Sequence, residues 1–73
     1  MVLGTRLKML RENMGLTQEN LGKKLHVSKV SICKYETGIS EPSLDILVKI
    51  ADIFNVSTDY LLGREEKQKE RWF

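Results

Sequence analysis

Leu16-Thr17-Gln18-Glu19-Asn20-Leu21-Gly22-Lys23-Lys24-Leu25-His26-Val27-Ser28-Lys29-Val30-Ser31-Ile32-Cys33-Lys34-Tyr35-Glu36 is the stretch that decides the fold. It opens twice in the same way. Leu16-Thr17 is followed by Leu21, and Val27-Ser28 by Ile32. In each case a hydroxyl residue stands where a helix N-cap belongs, with an apolar residue just before it and another four positions after. That is the hydrophobic staple, in which the flanking pair fixes the angle at which the chain enters the helix. Only Leu25-His26-Val27-Ser28 separates the two, so a helix of about eight residues meets a second short helix across a tight turn.

The same opening recurs at Val56-Ser57 with Leu61. Upstream, Leu3, Leu7, Leu10 and Met14 trace one apolar stripe ending at Gly15, a C-terminal cap. Downstream, a helix is expected from near Ser43 to about Phe54, burying Leu44, Leu47, Ile50, Ala51 and Phe54. Asn55 and Gly63 are expected to end the last two helices in left-handed conformations. No strand alternation is present. The reading is an all-α, compact five-helix bundle containing a helix-turn-helix.

The chain has 73 residues, enough for one domain, with 41% apolar and 30% charged residues. No apolar run approaches the roughly 18 residues of a membrane span, and no signal-peptide pattern opens the chain. A cytoplasmic protein with no membrane partner is therefore expected. One cysteine and one histidine can build neither an internal disulfide nor a structural zinc site. There is no phosphate-cradling glycine loop and no catalytic constellation, so no enzyme, metal or cofactor is expected, and no small-molecule ligand is evident.

The net charge is +2, but it is unevenly spread. Lys23, Lys24, Lys29 and Lys34 fall between Asn20 and Tyr35 with no acid among them, which leaves the rest of the chain at −2. Such a block suggests an anionic partner, against the alternative of a solvated helix face. Its coincidence with the helix-turn-helix favours the partner, because the second helix of such a pair enters the major groove of DNA.

Leu16 to Leu25, Val27-Ser28, Ile32, Tyr35-Glu36, Gly38 and Pro42 closely resemble the Cro and phage-repressor type helix-turn-helix family, also called the XRE family. The resemblance runs on through Leu44, Leu47, Ala51, Val56, Asp59 and Leu61-Leu62-Gly63, over roughly residues 3–63. It implies a lambda-repressor-like DNA-binding domain over residues 1–63. The implied function is that of a bacterial or phage-encoded transcriptional regulator, a repressor, binding double-stranded DNA as a homodimer, at least on DNA. An antitoxin-like module whose main partner is a protein is the alternative.

Helix three, about residues 28–36, sorts by geometry. Ile32 and Tyr35, with Ser31 beside them, point to the core, and Lys29, Val30, Cys33 and Lys34 fall outside. By resemblance Lys29, Val30 and Lys34 match base-reading positions, with Cys33 at the margin. Lysine can donate to guanine O6 and N7, and valine can sit against a thymine methyl. The alternatives are phosphate attraction for the lysines and partial core packing for Val30.

Gln18 matches a family glutamine that contacts phosphate and steadies the reading helix. Thr17, Ser28, Thr37, Gly38 and Ser40 are expected to offer hydroxyls and backbone N–H groups to phosphates. Arg11 and Glu36 match a partly buried structural ion pair. Two departures stand out. His26 occupies a turn position where relatives have glycine, so it is expected to hold a strained positive φ rather than to act as a base or ligand. Gly22 replaces a common alanine where helices two and three approach closely.

Residues 64–73 form a charged tail ending in Trp72-Phe73. Glu65 and Lys69 could pair at i, i+4 while Lys67 and Arg71 repel, so the tail is either frayed or a docking element. The dimer surface is expected on helix five and the tail, with Tyr60, Trp72 and Phe73 as aromatic anchors.

Overall fold

The structure, a computed structural model, describes residues 2–64. The expected tail element, with Trp72 and Phe73, lies outside the described residues. The helices are α1 (Val2–Asn13), α2 (Gln18–Leu25), α3 (Lys29–Thr37), α4 (Leu44–Phe54) and α5 (Thr58–Leu62).

Local chemistry sets both ends of most of these helices. Thr17, Ser28, Ser43 and Ser57 each accept a hydrogen bond from the backbone N–H three residues on, at 2.9, 3.1, 3.3 and 2.9 Å. Each bond satisfies one donor that the helix geometry leaves without a partner. At Thr17 the cap is reciprocal, because the Thr17 N–H donates to Asn20 Oδ1 at 3.2 Å. The following ends turn through left-handed residues: His26 at φ 60°, Gly38 at 83°, Asn55 at 56° and Gly63 at 79°. Histidine therefore holds the helix-turn-helix corner in the conformation expected of it.

Leu3, Leu7, Leu21, Leu25, Ile32, Leu47, Ile50, Ala51, Phe54 and Leu61 form one buried cluster drawn from all five helices. Leu10 and Tyr35 pack against it half-buried, and two residues expected inside, Met14 and Leu44, are exposed. Helix α1 stops at Asn13, so Met14 sits in the turn and is exposed. Leu44 is on the first turn of α4 and is 79% exposed, at the rim of a groove shared with Leu3, Pro42, Leu47 and Leu62. A helical period assigns a side but does not say where the covering neighbours end.

Glycine at two helical positions lets backbones touch. A Cβ on Gly22 would lie 2.7 Å from the Val27 carbonyl oxygen, so the close approach expected of α2 is made against the turn leading into α3. Gly4, to which the sequence reading gave no role, is tighter still. A Cβ there would lie 2.5 Å from the Glu36 carbonyl oxygen and 2.8 Å from that of Tyr35. The first turn of α1 is thereby seated on the last turn of α3.

These backbones make two substitutions differ in sign. Gly4→Ala would gain about 1 kcal/mol of helix propensity in an open helix. Here it is expected to destabilise by about 1–3 kcal/mol, through a clash that backbone carbonyls cannot relieve. His26→Gly removes a positive-φ strain and is expected to stabilise by up to about 1 kcal/mol, partly offset by the freer unfolded chain. Urea denaturation of the two variants checks both. A stabilised Gly4→Ala or a destabilised His26→Gly contradicts the respective account.

Candidate nucleic-acid interface

The orientation of α3 is set from its buried side. Glu36, in the last turn of α3, has a side chain only 3% exposed. Its Oε2 accepts from Arg11 Nε at 2.6 Å, and its Oε1 accepts from Arg11 Nη2 at 3.2 Å and from Gln18 Nε2 at 3.1 Å. Arg11 also donates through Nη1 to the Leu16 carbonyl at 2.8 Å. One carboxylate thus joins α1, the turn after it, the first turn of α2 and the end of α3.

The guanidinium and carboxylate meet side-on through two charge-assisted hydrogen bonds, which fix direction as well as distance. The hydrogen bond that Arg11 donates to Glu36 raises the Arg11 pKa above its ordinary value, against the opposing effect of burial. Among the described residues no buried side-chain nitrogen or oxygen lacks a partner.

With that side fixed, the opposite side of α3 faces solvent. Ile32 is fully buried, Ser31 and Tyr35 are half-buried, and Lys29, Val30, Cys33 and Lys34 are all exposed. Val30 is 60% exposed, which sets aside the core-packing alternative. Lys23 and Lys24 are exposed at the end of α2, next to the same corner.

The residues expected to face phosphates differ in what they have free. The Thr17 hydroxyl oxygen accepts from Asn20 N–H, which leaves its proton to donate outward. The Ser28 hydroxyl accepts from Ser31 N–H and is paired with the Ser31 hydroxyl at 3.2 Å. Gln18 is half-buried, and with one amide hydrogen directed at Glu36 its second remains available.

The loop after α3 departs from expectation. The Gly38, Ile39 and Ser40 N–H groups all turn back to carbonyls of Lys34 and Tyr35, and the Thr37 hydroxyl donates to the Cys33 carbonyl at 3.0 Å. The left-handed Gly38 folds the chain over the open end of α3, so these donors complete the helix instead of pointing outward. The Ser40 hydroxyl is left as the loop's contribution.

That fold-back also brings in a residue the sequence reading missed. Ile39 is 73% exposed and lines a shallow concavity with Gln18, Lys29, Val30, Cys33 and Lys34. It lies between helices, where no period assigns it a face. The available signal was an apolar residue set between Gly38 and Ser40 in an otherwise polar turn.

A helix-turn-helix family model matches residues 7–61. The transcriptional regulator ImmR of Bacillus subtilis is 41% identical over 70 residues, spanning 96% of this chain and 55% of that protein. The cryptic phage CTXphi transcriptional repressor RstR of Vibrio cholerae is 38% identical over 64 residues, spanning 88% and 57%. Among solved structures, the P22 c2 repressor in complex with a synthetic operator superposes with a TM-score of 0.82 at 31% identity, covering 88% of this chain and 97% of that one. The chain spans about half the length of the curated relatives it matches.

The junction at Glu36 makes a stability prediction. Arg11→Met strands a buried carboxylate and is expected to cost about 3–5 kcal/mol, whereas Arg11→Met combined with Glu36→Leu is expected to recover most of the loss. Chemical denaturation of the variants checks this. Single changes costing less than about 1 kcal/mol would show that the pair does not hold α3.

Proposed function

The chain belongs to the XRE-type helix-turn-helix family, and on that premise we propose that it is a sequence-specific double-stranded DNA-binding transcriptional regulator, acting as a repressor in the bacterial cytoplasm. The observation that carries the proposal is the division of α3 into two sides. One side is locked by Ile32 and the Arg11–Glu36–Gln18 junction, and the other presents Lys29, Val30, Cys33 and Lys34. The likeness to a repressor solved with its operator, and to relatives named as transcriptional regulators, supports this reading.

The solvent side of α3 enters the major groove, where Lys29 and Lys34 donate to base acceptors and Val30 meets an apolar base edge. Thr17, Gln18, Ser28 and Ser40 grip phosphates, as do Lys23 and Lys24, which set register and supply affinity without choosing sequence. A reading helix this short covers few base pairs, so two copies related by a two-fold axis bind a palindrome, with half-sites about 34 Å apart. The surface for the second copy lies away from α3, around Tyr60. Arg6 stacks on the Tyr60 ring at 4.3 Å and donates to its carbonyl, beside the exposed Val2 and Met9.

Binding to a duplex selected from a random pool tests the proposal. Affinity is expected to fall steeply between about 50 and 200 mM salt, by roughly 0.9 in log–log slope per phosphate neutralised, with two chains per site. Lys29→Ala is expected to relax the preferred base at one position by about 1–3 kcal/mol, while Gln18→Ala weakens all sequences alike. A flat salt dependence, or one chain on a complete asymmetric site, contradicts the reading.

A further inference from the structure

Where α1, α4 and α5 meet, the core is left open along a groove of about 330 Å3 lined by Leu3, Leu44, Leu47 and Leu62 together with Glu41 and Pro42. Leu3 and Leu47 belong to the core cluster, while Leu44 and Leu62 are 79% and 42% exposed. A single exposed leucine is ordinary, but two of them bordering a hollow floored by the core form an apolar patch without a cover. The volume is at the small end of binding sites and takes one or two side chains, not a helix. The charge beside it is of one sign. Glu41 is the only ionisable residue in the lining, Asp45 is exposed next to Leu44, and neither joins an ion pair among the described residues.

The chain itself leads to this groove. Leu62 is one of its walls, and two residues on, the Arg64 N–H is bonded to the Asp59 carbonyl at 2.8 Å. The exit from α5 is thereby held within about 7 Å of the Leu62 backbone. The sequence that follows carries Lys67, Lys69 and Arg71 with one acid, Glu70, among them, and then the adjacent aromatics Trp72 and Phe73. From Arg64 to Trp72 the chain can span up to about 27 Å, enough to turn back on the groove. The hollow between α1 and α5 suits it less, because Arg6 lines that hollow and no acid does.

We propose that Trp72 and Phe73 dock into the α1–α4–α5 groove of their own chain, with Lys69 and Arg71 beside Glu41 and Asp45. Tethered this closely, the aromatics meet the groove at an effective concentration on the order of millimolar, well above that of a second chain in dilute solution. The folded unit then runs past Gly63 to include Phe73, and the groove is closed to other proteins. This holds whether or not the domain binds DNA.

Trp72 is the only tryptophan in the sequence, so the intrinsic emission of the full 73-residue chain reports its surroundings. In the native protein the emission is expected at shorter wavelength than in urea, unchanged on dilution. Leu44→Glu is expected to move it back to the urea position, and Met9→Glu, in the hollow by Arg6, to leave it in place. Leu44 and Met9 both stand outside the core, and far-UV circular dichroism confirms that each variant is folded. Native emission at the urea wavelength overturns the proposal, as does a blue shift that survives Leu44→Glu. A blue shift lost on dilution assigns the groove to the aromatics of a second copy and overturns docking within one chain. A shift lost in Met9→Glu but kept in Leu44→Glu places the aromatics in the other hollow and overturns the choice of groove.

Discussion

A buried carboxylate must be given hydrogen-bond donors or it destabilises the fold, and in this chain the whole helix-turn-helix is arranged around one. Glu36 receives its donors from Arg11 and Gln18, and Arg11 is in turn tied to Leu16. Because these partners come from α1, the following turn and α2, satisfying one charge fixes the position of three segments at once. Gly4 makes the approach possible, since any larger residue would hold α1 away from the end of α3. The exposed side of α3 is consequently held in a set orientation relative to α2.

This arrangement suits a small domain. With ten buried apolar residues among those described, hydrophobic burial alone gives little control over helix rotation. A bidentate ion pair supplies direction, which aliphatic packing does not. Its net contribution to stability over apolar packing is small, and its value lies in specifying a single geometry. The strain at His26 belongs to the same economy, because the positive φ keeps the turn between α2 and α3 short enough for the two to share their core.

Much of this was legible in the sequence because it is written in local chemistry. The caps at Thr17, Ser28 and Ser57, the left-handed positions at His26, Asn55 and Gly63, and the outward placement of Lys29, Val30, Cys33 and Lys34 each follow from spacing or from residue type. The parts not legible depend on neighbours distant along the chain. Gly4 looks like a weak helix residue until the Glu36 carbonyl is placed against it. Leu44 has the correct period for the core but lies beyond the reach of its covering helices. Ile39 has no period at all. The loop N–H groups appear free in sequence, and become occupied only once Gly38 folds the chain back over α3.

Gln18 connects these two kinds of information. Its place in the first turn of α2 carries the expectation of a phosphate contact, while its bond to Glu36 makes it part of the framework. Following backbone amide signals during titration with an operator duplex tests whether the solvent side of α3, set by this junction, is the binding surface. The predicted result is that the large shifts cluster at residues 17–20, 28–34 and 39–40, with α4 almost unmoved. Shifts concentrated on the groove around Leu44, with Lys29 to Lys34 silent, would contradict it.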